Sequence, residues 1–519
     1  MSMEKNRWLI VFLIMVVAFV FRFQNIASTP PGLYPDEAMD GNNALYANAT
    51  GNYQVFYADN NGREGLFMDI QAISLAIFGN QPWALRIVSA LFGLFTVLGV
   101  YFLAKRLFNW QIGAMSSFML AISFWHTLFS RIGFRAIMAP FFLVWALFFF
   151  WRGLQGGKFY NYLVSGIFWG LGFYSYISFR VAPFILIIAL LAYWQAIHKK
   201  FDHEKYLHAR NLIIRGTAIV GVVAIIVALP LGYYFLTHPA DFFGRTGQIS
   251  VFASSNPIGN LVINSVKTLG MFNFVGDWNW RQNFAGSPEL FWPIGILLLI
   301  GFAHGIFRLV QTYRKEKHFP TVQVLLFSWF FIGLLPVVFS NEGIPHALRA
   351  IIVAPVVFIF AGEGLWWVYE KMKVAYEIRD PHIINIHRKK YLEGSVVAIF
   401  TVVIFLTACM FFEYDKYFNQ WANNPNVSPA FNTSNVTLGQ VLNQMPINIK
   451  KYVLVNAPGV EVVTPGSGQV VPMPAQTVMF ITDTWTPDKQ AAKNIFYLTP
   501  AEYAAGQYDK KSIIMPLDN

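Results

Sequence analysis

Charge is scarce in this chain. Only 13% of its 519 residues are charged, while 55% are hydrophobic and 17% aromatic. A soluble domain carries about 25% charged residues, so a soluble globular protein is excluded. Cysteine is nearly absent too: the single Cys409 lies in an apolar run. It allows no intramolecular disulfide and no cysteine-based metal site, and reads as a small buried hydrophobe. There is no internal repeat, no low-complexity tract and no Gly-rich phosphate loop opening a helix. The net charge of +11 does not mark a nucleic-acid protein, because the bases lie in short loops between apolar runs.

Those apolar runs are long. About eleven stretches approach the length of a membrane span: 7–24, 83–105, 111–130, 136–153, 160–178, 181–197, 212–236, 290–309, 321–340, 348–369 and 394–413. Backbone polar groups inside a bilayer must be satisfied within the segment, so the spans are predicted to be helices. With the N-terminus inside, the inner loops hold about twice as many Lys and Arg as the outer ones, which supports that orientation. "MEKNR" followed by "WLIVFLIMVVAFVF" has the charge order of a signal peptide. No clear small-residue cleavage site follows, and an uncleaved first helix is expected.

Three regions then face outward: 24–82, 237–289 and the tail 414–519. The tail contains "KKYVLVN", "TVMFITD", "NIFYLTP" and "KSIIMP", read as short strands. "TPDKQAAK" and "TPAEYAAG" read as short capped helices. The expected architecture is an all-α polytopic membrane domain, 1–413, with a small α/β domain, 414–519, on the outer face.

The first outer loop is rich in acids. Asp36, Glu37 and Asp40 sit in "YPDEAMDGNNALY", followed by Asp59, Glu64 and Asp69, with Arg63 beside them. One reading is a solvated loop: Pro35 suits a first helical turn, and Asp36 and Glu37 favour its positive end. The other is chemical. Asp36 and Asp40 fall on one helix face, and an ionised carboxylate at a membrane surface can take a proton from a nucleophile.

Isolated bases stand at the outer ends of several spans: Arg131 and Arg135 in "FSRIGFRAIMAP", Arg180 in "YSYISFRVAPF", His346 and Arg349 in "NEGIPHALRAIIVAP". Snorkelling to lipid headgroups is one account. Binding of a phosphate by guanidinium groups is the other, and at this depth it points to a lipid-linked phosphate. In the second outer loop, "GDWNWRQNFAGSPELFWP" offers Asp277, Trp278, Trp280, Arg281 and Asn283 as sugar contacts, by aromatic stacking and hydrogen bonding, against a plain interfacial aromatic belt.

Taken in order, one helix, an outer loop opening with "YPDEA", then "GREGLFMDIQAISLAIFGNQPWALRIVSALFG", "SRIGFRA", "GFYSYISFRVAP" and "GIPHALR", the chain resembles the GT-C glycosyltransferases of the dolichyl-phosphate-mannose–protein mannosyltransferase and aminoarabinose transferase type. The resemblance covers roughly 1–413 and is strongest over 30–108. It implies a polyprenyl-phosphate sugar donor, a protein, lipid or glycan acceptor, and inversion at the anomeric carbon. It also implies Asp36 as base with Glu37 beside it, Arg63 and Glu64 as a second, looser acidic-loop pattern, and phosphate contacts among Arg131, Arg135, Arg180, His346 and Arg349. Some members of that family hold a divalent metal and others do not. No His/Asp/Glu set with metal spacing is present here, so no metal or other cofactor is expected. Two rivals are a non-catalytic assembly protein of the same fold and a secondary transporter. The transporter is disfavoured because charge is nearly absent from the span centres, Glu363 being the main exception, and because the halves do not repeat.

Overall fold

The computed structural model describes residues 2–248, 250–378, 387–464 and 468–517. Among them, eight helices are long and apolar enough to cross a membrane: Pro82–Leu107, Arg135–Gly156, Ile177–Lys200, His203–Thr237, Trp292–Glu316, Thr321–Val338, Ala347–Ala375 and Ser395–Trp421. A helix also lies under each of the other three expected spans, with two differences. The stretch 111–130 is divided at Ser123 into Trp110–Ile122 and Phe124–Phe129. Ser123 leaves helical geometry, and its hydroxyl accepts from the His126 N–H of the next helix, as an N-cap does. The stretch 160–178 is helical only over Phe159–Gly172, about 21 Å at 1.5 Å per residue, short of the roughly 30 Å hydrocarbon core.

The helix beginning at Ala347 is the hub. Its most apolar window is 83% buried, against 17% for His203–Thr237 and Ser395–Trp421, which lie at the periphery. Gly364 sits against the backbone of Leu297, and Gly301 against that of Phe360. These two helices therefore touch backbone to backbone, as small residues permit where lipid offers no hydrophobic drive for association.

The first outer loop is mostly regular structure. It holds helices Pro35–Thr50 and Leu66–Phe78 and a two-residue-per-strand hairpin pairing Phe56–Tyr57 with Arg63–Glu64. In the tail, Lys451–Leu454 lies between Ile495–Leu498 and Ile513–Pro516 in a parallel sheet. Thr486 and Thr499 cap the helices Pro487–Lys493 and Pro500–Ala504. A short hairpin, Glu461–Val463 with Val470–Pro472, adds to these.

"TVMFIT", expected as a strand, is the helix Gln476–Thr482. It is covered on two sides. Val478 and Met479 pack into the tail's own core, and Phe480 packs among Leu33 and Ala38 of the first outer region and Leu85 at the start of helix Pro82–Leu107. A helix buried all round loses the amphipathic period that would mark it. The same helix bonds the tail to the first loop: Asn42 donates to Gln476, and Thr477 to the Leu33 carbonyl. The tail and the acidic loop thus stand at one end of the helical bundle.

Candidate active site

Pro35 opens the acidic helix with Asp36 and Glu37 in its first turn, where carboxylates meet the positive end of the dipole. The two neighbours then diverge. Glu37 is fully buried. Its carboxylate accepts from Arg86 Nε at 3.1 Å and from the Gly133 N–H at 2.7 Å. Arg86 in turn donates to the carbonyls of Pro30 and Gly32. Glu37 is therefore an internal anchor tying the acidic helix to helix Pro82–Leu107 and to the turn at Gly133, and it does not line the cavity that Asp36 faces. Asp36 faces the other way, half-buried, with Oδ1 accepting from Asn60 Nδ2 at 2.8 Å.

One turn on, Asp40 pairs with Arg63. Burial pushes the Asp40 carboxyl above its usual range, while Arg63 and Arg135 oppose the shift. The hairpin delivers Arg63, and its Asn60-Asn61-Gly62 turn runs through positive φ, +82° at Gly62. Only glycine takes that angle freely, and a β-carbon there would strike the Phe56 ring. Successive strand residues point to opposite faces. So while Arg63 meets Asp40, Glu64 reaches Arg135 at 3.0 Å and Arg180 at 3.9 Å.

Asp36 and Asp40 form one wall of a polar cavity of about 170 Å³. Arg63, Arg135, Arg281, His346 and Arg349 line the rest of it. Tyr176 and Arg349 are shared with a second, mostly apolar cavity of about 300 Å³, whose walls include Arg180, Phe252, Leu335 and Phe339. A chamber with acids and cations thus opens beside a greasy groove. Arg349 stands at the junction, held by the Ser340 hydroxyl and by Glu342.

The second outer loop closes the chamber. Asp277 accepts from the Ala347 N–H at 2.9 Å and lies 3.9 Å from His346 Nδ1, so it fixes the segment that carries His346 and Arg349. Burial raises its pKa to about 6. Arg281 stacks 3.6 Å over the Tyr34 ring, and burial lowers its pKa to about 10. Trp280 turns away: it packs on Phe284, and its carbonyl accepts from the Trp421 indole. It does not line the chamber, which corrects its expected sugar contact.

Arg131 is a further correction. It is fully buried, and its Nη groups donate to the carbonyls of Phe21, Gln24 and Thr29 at 2.6 to 3.0 Å. Those donors staple the end of the first helix and are not presented to a phosphate. Sequence reasoning passed over Tyr34, Asn60, Tyr176 and Gln282, all of which line the chamber. The Asn61-Gly62 turn signal was the available clue to Asn60. Among the described residues, no group of three or more His, Cys, Asp or Glu is placed to hold a metal ion.

The fold is that of a polytopic helical membrane protein of GT-C type. Within that class the chain resembles the protein mannosyltransferase and aminoarabinose transferase group, on two kinds of comparison. A family model described as dolichyl-phosphate-mannose-protein mannosyltransferase matches residues 66–234, a segment that begins after the acidic helix. ArnT from Cupriavidus metallidurans, solved bound to undecaprenyl phosphate, superposes with a TM-score of 0.54 at 14% identity, over 98% of this chain and 88% of that one. The oligosaccharyltransferase AglB from Archaeoglobus fulgidus, solved with an inhibitory peptide and a dolichol-phosphate, gives 0.54 at 11% identity, over 92% of this chain and 64% of its own. The same organism's enzyme tethered to an acceptor peptide gives 0.55 at 13% identity, over 96% and 64%. The chain thus spans less than two thirds of the archaeal protein's length. No curated protein matches it in sequence.

Proposed function

We propose that the chain is a membrane glycosyltransferase that moves a sugar from a polyprenyl-phosphate donor to an acceptor hydroxyl at the outer membrane face, with inversion. The observation that carries this reading is the pairing of the two cavities. Asp36 and several cations share a polar chamber that adjoins an apolar groove through Tyr176 and Arg349. A donor of this class needs that arrangement: isoprenoid in the groove, phosphate at the junction, sugar carbon in the chamber. The solved relatives that hold undecaprenyl phosphate and a dolichol-phosphate support the same donor class.

In this reaction the acceptor O–H gives its proton to the Asp36 carboxylate as its oxygen attacks C1. The C1–O bond to phosphate breaks, and the leaving phosphate keeps the electron pair. Arg349, with Arg180 in the groove and His346 in the chamber, stabilises the charge that develops. Losing one such donor typically costs ~2.7–4 kcal/mol of transition-state stabilisation, and general base action adds ~10²–10⁴-fold. Asp40, Arg63 and Glu64 act by positioning, through their ion pairs. Arg281 and Asp277 shape the acceptor side. In the orientation proposed, the N-terminus is cytoplasmic and the tail, 414–519, is a unit on the outer face of the plasma membrane, roofing the site.

The test is purified protein incubated with a panel of polyprenyl-phosphate sugars and of nucleotide sugars, with released polyprenyl phosphate measured. Turnover of a polyprenyl-phosphate sugar, reduced roughly 100-fold or more in Arg349→Ala, is the expected outcome. Turnover of nucleotide sugars alone overturns the donor class.

A further inference from the structure

The helical bundle has a second polar site at its other end. Gln323 stands near the start of helix Thr321–Val338, and Ser340, which holds Arg349, lies just past its end. Eighteen residues separate the two ends by about 27 Å. Around Gln323 lies a cavity of about 570 Å³, and beside it another of about 510 Å³. They share Leu107, Phe108 and Arg308 as walls.

Among the described residues, two buried polar side chains in these walls each leave one atom without a hydrogen-bond partner. Gln323 is 1% exposed, and its amide nitrogen has no hydrogen-bond partner among the described residues. Glu363 is also 1% exposed. One of its oxygens takes His304 at 3.0 Å and Arg308 at 3.8 Å, while the other has no partner among the described residues. A buried unsatisfied amide or carboxylate oxygen costs free energy that a ligand can recover. Three cations arrive from three different helices: Arg106, Lys200 and Arg308 all line the larger cavity. Of the acids in these walls, Glu316 is engaged by His318 at 2.8 Å and Glu363 by His304 and Arg308. Arg106 and Lys200 form no ion pair among the described residues. Trp151, Tyr193 and Ile197 supply an apolar wall.

We propose that these joined cavities bind a phosphate ester with a hydroxylated head group, of the phosphatidylglycerol or glycerol phosphate class, at the membrane surface opposite the Asp36 chamber. The phosphate meets Arg106 and Lys200 and accepts from the Gln323 amide. A head-group hydroxyl donates to the open oxygen of Glu363. Acyl chains, where present, leave along the aromatic wall. Basic pockets between helix ends suit anionic head groups. Neither the location nor the groups used depends on the proposed transfer reaction.

The experiment measures binding of phosphatidylglycerol, of a neutral galactosyl diacylglycerol and of glycerol 1-phosphate to the delipidated full-length protein, by native mass spectrometry and thermal shift. Phosphatidylglycerol should bind in preference to the galactolipid. Its affinity should fall about tenfold or more in Gln323→Leu and in the double variant Arg106→Ala/Lys200→Ala, and stay unchanged in Asp36→Asn. Displacement of the lipid by glycerol 1-phosphate would assign the site to the head group from either source. Failure to displace it, with the variants still weakened, would assign it to the lipid. Equal phosphatidylglycerol binding by wild type and variants, or no preference over the galactolipid, overturns the proposal.

Discussion

Asp36 and Glu37 are adjacent, yet the structure gives them opposite consequences for stability. Glu37→Gln leaves the Arg86 guanidinium, 1% exposed, without its counter-charge. Removing one partner of a buried ion pair costs about 3–5 kcal/mol, because the remaining charge stays desolvated. Arg86 keeps its bonds to the Pro30 and Gly32 carbonyls, which places the expected loss at the lower end, about 3 kcal/mol. Asp36→Asn touches a half-buried group whose partner Asn60 can bond an amide equally well, so a change within about 0.5 kcal/mol is expected. Equilibrium unfolding in mixed detergent and SDS, followed by tryptophan fluorescence, reads both. The double variant Glu37→Leu/Arg86→Leu should lose less than the sum of its singles, with a coupling of about 2 kcal/mol. A Glu37→Gln protein as stable as wild type, or additive singles, would refute the assignment of Glu37 to a buried anchor.

Two further outcomes follow from other parts of the molecule. Asp277 holds its proton to about pH 6 when folded, against 3.8 for the ordinary group. Its contribution to stability is therefore full below about pH 4 and is lost as pH rises through about 6. Asp277→Asn should flatten that decline in a pH series of thermal unfolding, and an unchanged pH profile would contradict it. For topology, Lys510 is exposed in the tail while native Cys409 is 2% exposed. Lys510→Cys should react in intact cells with a membrane-impermeant maleimide, and labelling only after lysis would refute an outward-facing tail.

Much of the bundle was legible because composition alone forces it: runs this apolar must become helices in lipid, and a helix stands under each expected span. The breaks were harder. Ser123 interrupts a run that reads as continuous, because its hydroxyl caps the following helix. The short hairpin that aims Arg63 and Glu64 has two residues per strand, too few for a period-2 signal, and those two residues were expected only from the family resemblance. Arg131 and Arg135 look equivalent in one short turn. Yet Arg131 folds back onto the carbonyls of Phe21, Gln24 and Thr29, while Arg135 lines the chamber. Glu37 read as a partner of Asp36 because its true partner, Arg86, lies 49 residues away. Trp280 and Arg281 show the same limit. An aromatic next to a base suggests a sugar contact for both, but the backbone direction that turns only Arg281 toward the chamber is a tertiary fact.

The central claim is that Asp36 is the base of a sugar transfer at the outer membrane face. The most direct measurement is single-turnover release of polyprenyl phosphate by purified wild-type and Asp36→Asn protein, with the same sugar donor and with acceptor present. The account predicts a loss of about 10²–10⁴-fold in the Asn variant, with unfolding stability unchanged. Release at the wild-type rate by a folded Asp36→Asn protein would contradict it.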